Sequence, residues 1–97
     1  MAICAIFEFP GSAMEQYDEG TRQLNNGQPF RSLSEWPVSG ILSHVAGPTP
    51  DGWYVVDVWE SEEAFRRFGQ LLAPILAKVG MPPVAPRVFP VHNLVTQ

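Results

Sequence analysis

The chain has 97 residues, 45% of them hydrophobic and only 16% charged, with six basic against ten acidic side chains and a net charge of −4. That length suits one compact domain, 1–97, with enough apolar residues to build a core. The basic residues are scattered and form no stripe that could neutralise phosphates, which argues against nucleic acid and equally against an anionic membrane surface as partners.

Ala2 to Phe9 is an apolar, strand-like run closed by Pro10 and Gly11. Ser12 followed by Glu15 matches a capping box, and Met14, Tyr17, Thr21 and Leu24 recur at helical spacing, so a first helix is expected over 12–25. Gly20 weakens that helix, and Asn26-Gly27 ends it. Residues 28–39 have no period and carry Pro29 and Pro37, which predicts a long loop pinned by Phe30, Leu33 and Trp36. Residues 40–46 and 53–60 read as two strands of a β-hairpin around the turn 47–52.

Ser61 is a good N-cap, with Glu62 and Glu63 placed to favour the helix dipole. Phe65, Phe68, Leu72, Ile75 and Val79 then predict an amphipathic helix that Gly80 ends and that Pro74 should kink or divide. Residues 87–95 form a last strand in which Pro90 marks an edge or a bulge. The order β-α-β-β-α-β is the α+β, ferredoxin-like pattern with a four-stranded antiparallel sheet. Two helices cover only one face of such a sheet, yet residues 53–59 are apolar on both parities. The uncovered face is therefore expected to meet a second copy in a homodimer.

Cys4 alone allows no internal disulfide and reads as a small buried hydrophobe. The start of the sequence lacks the pattern of a signal peptide, and no segment is long enough to span a membrane, so a cytoplasmic protein is expected. Close metal-ligand spacings, a phosphate loop and a flavin or nicotinamide motif are all missing, so neither a metal site nor a cofactor is expected.

The segment from Gly40 to Ser61, with His44 and the run Asp57-x-Trp59-Glu60-Ser61, resembles the antibiotic biosynthesis monooxygenase-like superfamily. Phe89-Pro90-Val91-His92-Asn93 resembles a small bacterial subgroup of it. The resemblance spans essentially the whole chain and implies a dimeric α/β barrel. It leaves the chemistry open, because the superfamily holds cofactor-free oxygenases of polyketide quinones, cyclases, haem-degrading enzymes and isomerases. Haem-degrading members resemble one another in an Asn on the first strand and a Trp and a His on the second helix. Here those positions offer no such residues, which argues against haem.

Two histidines remain as candidates for proton chemistry. If the hairpin is symmetric about Thr49 and Pro50, Leu42, His44, Val55, Asp57 and Trp59 share one face, and His44 lies diagonal to Asp57. A carboxylate within a central apolar strand needs a partner. The pair is either a general base, the imidazole oriented by the carboxylate, or a polar clasp that fixes hairpin register. His92 and Asn93 form the second candidate, as a catalytic and a substrate-binding residue on the last strand or as interface residues. Trp59, Tyr54, Trp36 and Phe68 are candidate walls for a small apolar or aromatic ligand, with Trp36 as a lid. The sequence thus supports a cofactor-free monooxygenase-like, isomerase-like or cyclase-like enzyme, or a non-catalytic ligand-binding or scaffold dimer of the same fold.

Overall fold

The computed structural model describes residues 1–97. β1 (Ile3–Pro10) leads to α1 (Met14–Leu24), a loop with one 3₁₀ turn at Leu33–Glu35, β2 (Ile41–Thr49), β3 (Gly52–Trp59), α2 (Glu62–Lys78) and β4 (Arg87–Pro90). The strands form one antiparallel sheet in the order β2-β3-β1-β4. This α+β architecture is compatible with a ferredoxin-like fold.

Strand period explains which residues enter the core. Side chains alternate between faces along a strand, and Ile3, Ala5, Phe7 and Phe9 on β1 are all buried against the helices, as are Trp53, Val55 and Trp59 on β3. Trp59 is fully buried beneath α2, its ring 5.1 Å from that of Phe68 and 6.2 Å from that of Phe65. The opposite parity makes the second face. Cys4, Ile6, Tyr54 and Val56 are half-buried there, and Val45 and Phe89 are each 49% exposed. Apart from the Glu8–Arg87 pair, this face is largely apolar, and it carries no helix.

The hairpin is longer and tighter than the sequence predicts. β2 runs to Thr49 and β3 begins at Gly52, leaving only Pro50 and Asp51 as the loop. Pro48 is accommodated within β2 because β2 is an edge strand, where a missing N–H need cost no ladder bond. Gly52 is fixed by close approach. A Cβ there would sit 2.1 Å from the Phe9 carbonyl oxygen, so the absence of a side chain lets the hairpin end abut β1.

The helices also differ from expectation in particulars. The Pro10-Gly11 turn draws Ser12 into it, with the Ser12 N–H donating to the Phe9 carbonyl at 3.2 Å. α1 therefore starts later, capped at Ala13, whose N–H donates to Gln16 Oε1 at 2.9 Å. Met14 is exposed, whereas Gly20 is buried facing Ile75 of α2 and Val79 at its C-terminal cap, with room for a Cβ in ordinary contact. α2 begins as predicted, with Ser61 Oγ accepting the Ala64 N–H at 3.1 Å, and runs through Pro74 as one element. No helix is long and apolar enough to cross a membrane.

β4 is the largest departure. It ends at Pro90 rather than at residue 95, and pairs only with Ile3–Ile6. The Val91 N–H still donates to the Ala2 carbonyl at 2.9 Å. Beyond it the chain leaves the sheet. His92 and Asn93 consequently lie outside the sheet and are exposed.

Candidate active site

β3 places Asp57 on the helix-covered face by parity, between Val55 and Trp59, where it is only 2% exposed. β2 places His44 directly opposite it. The sequence register made the two diagonal neighbours. The two-residue loop slides the pairing by an even number of residues, so both stay on the same face and become direct partners. A bulge does interrupt β2, but at Leu42, beyond the pair, and it leaves that side chain 38% exposed.

α1 crosses this face and delivers a third polar group. His44 Nδ1 is 2.5 Å from Asp57 Oδ1, and His44 Nε2 is 2.6 Å from the Tyr17 hydroxyl. When the ring is the Nδ1–H tautomer, Nδ1 donates to the Asp57 carboxylate, Nε2 presents its lone pair, and the Tyr17 O–H donates to it. The three residues form one directed chain, Tyr17 to His44 to Asp57. Burial, with lesser contributions from the charges of Asp57 and Asp18, pushes the Tyr17 phenol up to about 12. Tyr17 is thereby held as a neutral donor at ordinary pH.

Aromatic side chains close the site. Tyr17 lies 5.3 Å from the Trp53 ring. Trp36 sits edge-on to His44 at 4.8 Å and stacks on Phe30 at 3.8 Å. The loop bearing these two rings is held by Glu35, whose Oε1 accepts the N–H groups of Arg31 (2.6 Å) and Ser32 (3.1 Å), which lowers its carboxyl. Leu33, expected to pin the same loop, is 39% exposed and does not.

Beneath this lid the Tyr17–His44–Asp57 chain borders an apolar cavity of about 60 Å³ between the sheet and both helices. That volume holds water-sized molecules and falls short of the roughly 150 Å³ in which a benzene ring fits. On the loop side, Tyr17, Thr21, Phe30, Trp36 and His44 also line an outer cleft of about 380 Å³. The Phe30–Trp36 stack is thus the wall between cavity and cleft.

The sequence-derived candidates divide sharply. His44, Asp57, Trp36 and Phe68 converge on the cavity. Trp59 shares their face but sits in the core and does not line the cavity. Tyr54 points to the open face, its ring against Gly47. His92 and Asn93 lie on the exposed segment after β4 and do not join the His44–Asp57 pair. Tyr17 was read only as part of the apolar stripe of α1. A phenol in a buried stripe needs a hydrogen-bond partner, and the second ring nitrogen of His44 was the one signal that could have paired them. No group of three or more His, Cys, Asp or Glu side chains is placed to hold a metal ion. No family model matches the chain, and no curated protein matches it.

Proposed function

We propose that the chain is a small cofactor-independent enzyme, monooxygenase-like or isomerase- or cyclase-like, that moves a proton on a hydrophobic aromatic or polyketide-like compound. The observation that carries this reading is the Tyr17–His44–Asp57 chain ending at the wall of an apolar cavity. A ligand hydroxyl or activated C–H beside Tyr17 gives its proton to the phenol oxygen as Tyr17 gives its own to His44 Nε2. Asp57 stabilises the imidazolium that forms. The high Tyr17 pKa favours such a paired transfer over a free tyrosinate. Return of the proton to another carbon completes an isomerisation or cyclisation. With dioxygen as co-reactant, a CH₂ flanked by aromatic rings becomes C=O, one oxygen atom entering the product and the other leaving as water.

The same reading places the chain in the antibiotic biosynthesis monooxygenase-like superfamily as a dimeric α/β barrel. The strand order and the uncovered apolar face, with Val45 and Phe89 half exposed, support it. A ring enters the site only if the Phe30–Trp36 lid moves. The small cavity favours the second reading, a non-catalytic ligand-binding or scaffold dimer.

Deuterium wash-in from heavy water, and quinone formation in air, measured on a panel of naphthols and anthrones, separates the two. The enzyme reading expects turnover that His44→Gln lowers by about 10²–10⁴-fold, with the fold intact by circular dichroism. Turnover unaffected by His44→Gln removes His44 from the mechanism, and no exchange with any compound leaves the binding or scaffold reading.

A further inference from the structure

A second groove adjoins the inner cavity on the side away from the lid. It measures about 660 Å³ and runs between α2 and the linker 81–86. Phe7, Leu72, Leu76 and Met81 line both the groove and the cavity, so these four side chains form the partition between them. Met81 is the adaptable member, because an unbranched thioether repacks at low cost.

The floor along α2 is open because its residues are small. Gly69, Ala73 and Ala77 follow one another at four-residue spacing on the groove side, and a Cβ added at Gly69 would meet no atom within 4 Å. The stretch of α2 from Arg66 to Ala77 is about 16 Å long. The groove therefore follows α2 for several turns with a mostly apolar lining, which suits an extended chain.

One charge stands in its wall. Arg22, Arg67 and Arg87 are engaged by Glu19, Glu63 and Glu8 at 3.3, 2.9 and 3.6 Å. Arg66 lines the groove beside Gln70 and makes no ion pair. In a chain of net charge −4, an unpaired guanidinium at an apolar groove complements an anion. A single guanidinium matches a carboxylate, which it can bind through two parallel N–H donors.

We propose that this groove binds an extended apolar carboxylic acid, its carboxylate at Arg66 and its tail running along Gly69, Ala73 and Ala77 toward the partition at Met81. This rests on the proposed function in one respect: the groove would hold the remote end of the ligand whose reacting end meets Tyr17. It supplies what the small cavity lacks, binding area away from the reacting atoms. It also narrows the substrate class to amphipathic acids.

Titration calorimetry of the full chain with octanoate and with octan-1-ol tests the proposal without requiring turnover. Octanoate is expected to bind about threefold to fivefold more tightly than the alcohol, the range of a solvent-exposed charge contact, and rising salt is expected to erase the difference. Arg66→Gln brings octanoate to the affinity of the alcohol, while Arg67→Gln changes neither. Gly69→Leu, a substitution that favours helix and so preserves the fold, weakens both ligands by about tenfold or more through loss of the buried tail. His44→Gln leaves octanoate binding unchanged, so a failed turnover experiment and a failed groove are read separately. Equal affinity for acid and alcohol, equal effects of Arg66→Gln and Arg67→Gln, or no binding of octanoate overturns the proposal.

Discussion

The two histidines of this chain occupy opposite extremes of the fold. His44 stands on the hairpin, its side chain 16% exposed, with one ring nitrogen on Asp57 and the other on Tyr17. His92 lies past the end of β4 on an exposed segment, with no side-chain hydrogen bond. In sequence the two look alike, each within an apolar run and each with a polar residue nearby. What separates them is pairing. β2 has β3 beside it along its length, so the position of His44 is fixed and its partner is imposed. β4 pairs only with Ile3–Ile6, and the residues after Val91 have no strand partner.

Breaking the buried partner of one histidine and deleting the other gives the largest contrast. Asp57→Ala leaves His44 Nδ1 without its acceptor and should cost about 3 kcal/mol, whereas His92→Ala should stay within about 0.5 kcal/mol. Urea unfolding followed by tryptophan fluorescence measures both, and similar losses would show that His44 is no more structurally committed than His92.

A smaller effect is expected at alkaline pH. The Tyr17 phenol is raised from 10.0 to about 12, so the folded state holds its proton more tightly than the unfolded chain does. The stabilisation this represents is complete below pH 10 and is lost as pH rises through about 12. Tyrosinate absorbance should show a step near pH 12 that Tyr17→Phe removes. A step near pH 10 lost in that variant would mean that Tyr17 is not buried against the Asp57 charge.

The smallest expected effect concerns the lid. The Glu35 carboxyl is lowered by the Arg31 and Ser32 N–H groups, so its hold on the loop is present above its ordinary range and is lost as pH falls through the lowered value. Glu35→Gln should loosen the loop at neutral pH, seen as faster amide exchange at Arg31 and Ser32 with no change at Asp57. Unchanged exchange at both amides would remove Glu35 from the account of the lid.

Local rules made much of this legible. The apolar runs of β1 and β3 identified the central strands, though not which face the helices cover, and Ser61 with the helical spacing after it identified α2. Parity alone placed His44 and Asp57 on one face, and parity survives any register slip by an even number of residues. The direct pairing was not legible, because it depends on Pro48 being accepted into an edge strand. Tyr17 was not legible as a site residue, because the rotation of α1 over the sheet is set by packing against the sheet and α2. Trp59 shows the limit of the face argument: it shares the parity of Asp57 yet lies under Phe65 and Phe68, away from the cavity.

The most direct test of the Tyr17–His44–Asp57 chain is the tautomer of His44, read from long-range ¹H–¹⁵N correlation spectra of the imidazole at neutral pH. The arrangement predicts a ring protonated at Nδ1, with Nε2 as acceptor and a slowly exchanging Tyr17 hydroxyl proton correlated to it. A ring protonated at Nε2, or a Tyr17 hydroxyl that exchanges as fast as an exposed phenol, would contradict it.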